Sequence, residues 1–295
     1  MSVIAAIEAG GTKFVCAIAR PNGVELERIR IPTRDPKETF AEMTAWFAAA
    51  ASRHGDIRAF GIGSFGPVGI DPSRADYATF TTTPKPGWSG ASFQEALARF
   101  EAPLALDTDV NAAALGEWLG GAGRGCGSIA YTTMGTGIGS GVLKNGAVLS
   151  GWSHYEAGHL PVRRDPGRDP FAGVCPFHGD CLEGLASGPA IAARWGHDLS
   201  AAKPDQISLV AEYAAQLASA LVLLHRPERL IFGGGVAKAP GLIGALRLSA
   251  RRNLAGYIPE WDEDLSARIV TPELGDDAGI IGAIELGRRA LETPS

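Results

Sequence analysis

Val3-Ile4-Ala5-Ala6-Ile7-Glu8-Ala9-Gly10-Gly11-Thr12-Lys13 opens the chain as a short apolar run that meets a glycine-rich turn. The apolar character resumes from Phe14 to Ala19, so the stretch reads as strand, glycine turn, strand. The same pattern returns further on. Ser128 to Met134 runs into Gly135-Thr136-Gly137-Ile138-Gly139-Ser140-Gly141 and continues through Val142-Leu143-Lys144, with Asn145-Gly146 as a hairpin-turn signal. Two matching glycine-turned hairpins point to a duplicated architecture.

Around these hairpins, strands and helices alternate. Pro36 to Arg53 carries Phe40, Met43 and Phe47 at helical spacing, and Ala59 to Gly63 is strand-like. Phe65 to Ser92 is rich in Pro, Gly and Thr and reads as a long loop, in which Trp88 and the stretch 79–86 could serve as a lid or as plain surface. Leu104-Ala105-Leu106 is a short strand, followed by a helix from Asp109 to Leu119. Gly151 to Cys181 is irregular, Leu182 to Trp195 and Ile207 to Leu224 read as helices, and Arg229 to Phe232 is a strand leading into Gly233-Gly234-Gly235. A closing helix spans Ala278 to Ala290. Such alternation argues for α/β sheets covered by helices.

Composition narrows the function. At roughly 100–200 residues per domain, 295 residues suffice for two lobes or one large domain. A net charge of -5 with interspersed signs offers no basic stripe for nucleic acid. No run approaches the roughly 20 apolar residues of a membrane helix, and the amino terminus lacks a basic leader, so a cytoplasmic protein without a membrane partner is expected. Four cysteines are too few for a disulfide scaffold. Cys16 and Cys126, alone in apolar stretches, are expected in the core.

The chemistry concentrates in three places. Gly10, Gly11, Thr12 and Lys13 in the first hairpin, and Thr133, Gly135, Thr136, Gly137 and Gly139 in the second, offer backbone N–H groups, hydroxyls and an ammonium to a polyphosphate. Tight turns alone would read the same way, but two matching ones and a third glycine cluster favour phosphate. No Walker-A sequence occurs. Gly61-Ile62-Gly63-Ser64-Phe65-Gly66 spells G-x-G-x-x-G, yet Pro67-Val68-Gly69 follows where a dinucleotide site needs a helix. Asp107-Thr108-Asp109-Val110-Asn111 sits at a strand-to-helix junction, where Asp109 either takes a proton from an attacking hydroxyl or caps the helix. Finally, His159 with Cys175, His178 and Cys181 forms a two-thiolate, two-imidazole set that suits a structural Zn²⁺, with a chance cluster or redox pair as the alternative. A zinc-bound His159 keeps its other ring nitrogen for a substrate hydroxyl. His54, His154, His197 and His225 lack such company and are assigned surface or core roles.

Taken together, Ile7 to Lys13, Gly66-Pro67-Val68, Asp109 to Glu117, Gly135 to Gly139, Glu156-Ala157-Gly158-His159, the cysteine knuckle with Leu182-Glu183-Gly184, Ser187-Gly188-Pro189 and Phe232 to Val236 resemble the ROK family of sugar kinases and repressors. The likeness covers essentially the whole chain and is nearest the bacterial fructokinase branch. It implies an actin-like (ribonuclease H-like) duplicated α/β fold of two lobes with a central cleft and hinge closure. It also implies a small lobe over 1–112 with the helix 278–295 packing back on it, and a large lobe over 113–277 bearing the zinc knuckle. By the same likeness Asp109 is the general base. Gly66, Asn111, Glu156, His159 and Glu183 fall on sugar positions. Gly10, Gly11, Thr12, Lys13, Thr133, Gly135, Thr136, Gly137 and Pro189 fall on nucleotide positions, and Gly233, Gly234 and Gly235 lie near adenosine.

The implied reaction transfers phosphate from ATP, carried with Mg²⁺, to the 6-hydroxyl of a hexose. D-fructose is expected first, a glucokinase or mannokinase is the alternative, and the implied assembly is a homodimer. Two departures from the wider family stand out: Glu8 replaces an aspartate that reaches Mg²⁺ through water, and the knuckle is C-x2-H-x2-C instead of C-x-C-x4-C. A sugar-sensing repressor would need a DNA-binding segment ahead of Val3, and a zinc hydrolase would need an open coordination position that a four-ligand set lacks.

Overall fold

A computed structural model describes residues 2–83 and 85–292. Pro84 of the expected loop and the end of the expected closing helix, 293–295, lie outside the described residues. In chain order the elements are β1 (Ser2–Ala9), β2 (Lys13–Ala19), β3 (Glu25–Pro32), α1 (Pro36–His54), β4 (Asp56–Ser64), α2 (Phe93–Leu97), β5 (Leu104–Thr108) and α3 (Asp109–Gly120). There follow β6 (Ser128–Met134), β7 (Ile138–Lys144), β8 (Ala147–Val148), α4 (Leu182–Ala186), α5 (Gly188–Trp195), α6 (Pro204–His225), β9 (Arg229–Gly233), α7 (Leu242–Leu254), β10 (Ile269–Val270) and α8 (Ala278–Glu292). Two compact units result: Met1–Glu117 with Ser150–His154 and Asp276–Ser295, and Trp118–Leu149 with Tyr155–Gly275.

The two sheets repeat one topology. The first unit orders its strands β3-β2-β1-β4-β5, and the second β8-β7-β6-β9-β10. In each, the central strand pairs antiparallel with the arm of its glycine hairpin and parallel with the strand that follows a helix. This is the duplicated α/β architecture expected of the actin-like fold. The turn from β7 to β8 is made by Asn145 and Gly146 with φ of 51° and 76°, as the Asn-Gly signal requires.

In the first unit α1 covers one sheet face through Met43 and Phe47, and α8 covers the other through Ile280, Ala283 and Ile284. The α8 contact is backbone-close. A Cβ on Gly61 would fall 1.9 Å from the Ala283 carbonyl oxygen, and one on Gly63 would fall 2.5 Å from Ala112 Cβ. Gly61 and Gly63 of the dinucleotide-like G-x-G-x-x-G string therefore serve packing against α8 and α3. Trp88, weighed as lid or surface, is fully buried. Its ring lies 5.0–5.5 Å from Phe14, Phe40, Phe65 and Phe80, and Nε1 donates to the Arg34 carbonyl at 3.0 Å. It anchors the loop to the aromatic core.

Three features differ from the sequence reading. The expected helix from Leu182 to Trp195 is two helices, because Ser187 is extended (φ -73°, ψ 164°), its hydroxyl caps Ala190, and Pro189 has no N–H for a continuous ladder. β3 is a charged edge strand, Glu25-Leu26-Glu27-Arg28-Ile29-Arg30, whose polarity hides its strand character. α6 is, by length and composition, apolar enough to cross a membrane, contrary to the reading that no such run exists. It is the core helix of the second unit, burying Val210, Ala214, Leu217 and Leu221 against β6, β9 and α7. Cys16 is buried as expected, whereas Cys126 is half-buried.

Candidate active site

In the first unit the bend between β1 and β2 is held by Gly10 N–H donating to the Lys13 carbonyl at 2.9 Å and by Thr33 Oγ1 donating to the Gly10 carbonyl at 2.8 Å. Gly10 is half-buried, and Gly11, Thr12 and Lys13 are exposed. A Cβ on Gly11 would meet nothing within 4 Å, so its glycine answers no packing demand within the chain and keeps the backbone amides open to a ligand.

Asp109 is the first residue of α3, half-buried at the end of β5. Capping is shared there: Thr108 Oγ1 accepts from Asn111 N–H at 3.2 Å, while Asp109 Oδ1 accepts from Val110 N–H at 2.8 Å. Thr108 thus relieves Asp109 of the usual capping bond to the third residue of the helix. Asn111 is buried, its amide donating to Asp107 Oδ1 at 2.6 Å. Burial raises the Asp107 pKa, while the bonds from Asn111 and Thr108 N–H and the charge of His154 oppose that rise. Glu8, the last but one residue of β1, is pushed up to about 7, first by burial and then by the Asp109 charge, with Lys13 pulling the other way. Its Oε2 is buried without a hydrogen-bond partner. The first bend, Glu8 and Asp109 therefore form one electrostatic group.

His154, assigned to core or surface from sequence, belongs to this group. The segment 150–154 packs with the first unit, and the imidazole Nε2 lies 3.6 Å from where a Gly66 side chain would begin. Lys85 was likewise not singled out; its Nζ donates to the Gly11 carbonyl at 2.6 Å. Neither carries a local pattern that a one-dimensional reading could recognise, since their partners lie 88 and 74 residues away in sequence.

The second unit gathers its residues around the β6–β7 bend. Gly135 N–H donates to the Gly137 carbonyl at 2.9 Å, and Gly188 N–H donates to the Gly135 carbonyl at 2.7 Å, bringing Gly188-Pro189 to the bend. Val236 N–H donates to the Met134 carbonyl, which draws Gly233, Gly234 and Gly235 to the same place. Thr133 is half-buried and Thr136 exposed. Glu183 Oε2 accepts from Ile138 N–H at 2.8 Å, so this carboxylate, placed on a sugar position by likeness, also braces the bend. Glu156 is exposed, one turn before His159.

His159, Cys175, His178 and Cys181 present one ligand atom each within 4.8 Å of one another. His159 Nδ1 lies 3.7 Å from Cys175 Sγ and 3.5 Å from Cys181 Sγ, and His178 Nδ1 lies 3.7 Å from Cys175 Sγ. Two ligand atoms of a tetrahedral zinc would stand roughly 3.5 Å apart, so the group is shaped to hold a metal ion. Nδ1 faces the cluster, which leaves His159 Nε2 on the other edge of the ring.

Residues 4–290 match the ROK family model. The fructokinase of Zymomonas mobilis is 40% identical over 96% of this chain and 96% of its own. Among solved structures, a ROK hexokinase from Thermus thermophilus superposes with a TM-score of 0.80 at 27% identity, covering 98% of this chain and 99% of that one. A ROK glucokinase from Streptomyces griseus, in complex with glucose and AMPPNP, superposes with a TM-score of 0.74 at 26% identity, covering 97% and 99%.

Proposed function

We infer the function from one premise: this chain belongs to the ROK family. It is an ATP-dependent hexose kinase that converts D-fructose to fructose 6-phosphate. The observation that carries this reading is Asp109, a half-buried carboxylate at the head of α3, electrostatically joined to the first glycine bend through Glu8 and Lys13.

Asp109 accepts the proton of the 6-hydroxyl as that oxygen attacks the γ-phosphorus and the bond to the ADP oxygen breaks. Asn111, fixed by Asp107, turns its amide oxygen to the sugar; Gly66, Glu156, His159 and Glu183 complete the sugar contacts. The amides of Gly10, Gly11 and Thr12, with Lys13, and those of the 133–137 bend receive the phosphates, while Pro189 and Gly233 to Gly235 border the nucleoside. Mg²⁺ carried by ATP neutralises phosphate charge. The orphaned Glu8 Oε2 suits a hydrogen bond to a water of that ion. Zn²⁺ at His159, Cys175, His178 and Cys181 would order the irregular loop and hold the His159 ring, leaving Nε2 for a sugar hydroxyl. The protein is taken as a cytoplasmic homodimer.

Sugar-dependent ADP release across fructose, mannose and glucose tests the reading. The highest kcat/KM is expected with fructose. Absence of sugar-dependent release with Mg²⁺ and Zn²⁺ present would refute it.

A further inference from the structure

Lys85 stands in the loop between β4 and α2, and that loop is fastened at both of its flanks. On one side Thr81 N–H donates to the Pro67 carbonyl at 3.0 Å, and Thr83 Oγ1 donates to the Gly66 carbonyl at 3.1 Å. Thr83 Oγ1 in turn accepts from Lys85 N–H at 3.4 Å. On the other side the Lys85 ammonium reaches the Gly11 carbonyl at 2.6 Å. Three residues later Trp88 is sealed into the aromatic core. A cation is therefore held between the Gly66-Pro67 turn and the Gly10 to Lys13 bend.

The chemistry of those two places gives the cation a task. An ammonium has three N–H donors, and the Gly11 carbonyl takes one. A phosphoryl group received by the bend's amides can take another. In a loose transition state negative charge spreads over the phosphoryl oxygens, and a cation already tethered there stabilises it without reorganisation.

We propose, resting on the kinase reading above, that Lys85 is a catalytic residue whose ammonium, tethered at Gly11, donates to the γ-phosphoryl oxygens during transfer to the sugar. The O6–P bond forms while the P–O bond to ADP breaks, and the electron pair of the broken bond leaves with ADP. The O6 proton goes to Asp109, and Lys85 keeps its own proton throughout.

The test uses full-length Lys85→Met and Lys85→Arg with ATP, Mg²⁺ and fructose. Lys85→Met should lose about 100-fold or more in kcat with fructose KM within about threefold, and Lys85→Arg should recover about tenfold of that loss. A wild type without sugar-dependent ADP release would defeat the kinase reading itself. An active wild type with Lys85→Met kcat within about threefold of it would overturn the proposal alone. Should Lys85→Met melt below the wild type, reductive methylation of wild-type Lys85, read by peptide mass, decides. ADP, aluminium fluoride and fructose together should slow its labelling at least about fivefold relative to fructose alone, the occlusion a phosphoryl contact requires; equal labelling overturns the proposal.

Discussion

Asp109 and Glu8 are two carboxylates in different environments, and the Asp109 charge adds to burial in raising the proton affinity of Glu8. Asp109 is half-buried and bonded to Val110 N–H. Glu8 carries a buried oxygen without a hydrogen-bond partner, and burial favours its protonated form. Replacing Asp109 by Asn should lower kcat by about 10²–10⁴ with fructose KM little changed, because a general base acts chiefly in the transition state. Steady-state kinetics at saturating ATP check this, and turnover within tenfold of wild type would assign the base elsewhere. The Glu8 pKa is raised from 4.5 to about 7, so the folded state binds a proton more tightly than the unfolded state. Its favourable contribution is complete below pH 4.5 and is lost as pH rises through about 7, to the extent of about 3 kcal/mol. Denaturant unfolding of Mg²⁺-free and nucleotide-free protein between pH 4.5 and 8 should show that fall, and Glu8→Gln should flatten it. Parallel curves for the two proteins would mean that Glu8 ionises freely in the fold.

At the level of elements, the loop between β4 and α2 is held by two large buried side chains, Phe80 and Trp88. Trp88 is fully buried among four phenylalanine rings and satisfies its indole N–H on Arg34. Trp88→Ala should cost about 3–5 kcal/mol in unfolding free energy. It should also impair kcat beyond what the remaining folded fraction explains, because Thr83 and Lys85 lose their common support. A stability loss below about 1 kcal/mol, measured by urea titration, would contradict this packing. The α8–β4 contact makes a companion point. Gly61→Ala would drive a methyl into the Ala283 carbonyl at 1.9 Å, so this substitution should destabilise strongly although alanine is the smallest side chain available.

Over the whole molecule, two copies of one sheet topology carry the two glycine bends, and the second unit adds a metal-shaped cluster to its irregular loop. Removing Zn²⁺ with a chelator should lower Tm by about 5 °C for a loss of about 3 kcal/mol in a chain of this size. It should also expose the thiols of Cys175 and Cys181 to modification, and added Zn²⁺ should reverse both effects. An unchanged Tm together with unchanged thiol reactivity would assign the cluster no metal.

The duplication, the two glycine bends, the strand-to-helix junction at Asp109 and the cysteine knuckle that His159 joins were legible in the sequence, because each is marked by a short pattern. Apolar alternation and glycine clusters act within a few residues, and the cysteine knuckle spans seven positions. The edge strand β3 was not legible, because its charged faces mimic a solvated loop, whereas the break at Ser187 was signalled by Ser187-Gly188-Pro189, a capping residue with proline in the first turn, and was overlooked within a continuous helix-forming stretch. Tertiary structure alone decided that Thr108 shares the capping at Asp109, that burial makes Glu8 a weak acid, that Trp88 is core, and that His154 and Lys85 join Gly66 and Gly11. The physical reason is common to all of them. Burial, proton affinity and long-range hydrogen bonds depend on which distant segments meet, and that pairing exists only once the sheets and helices have packed.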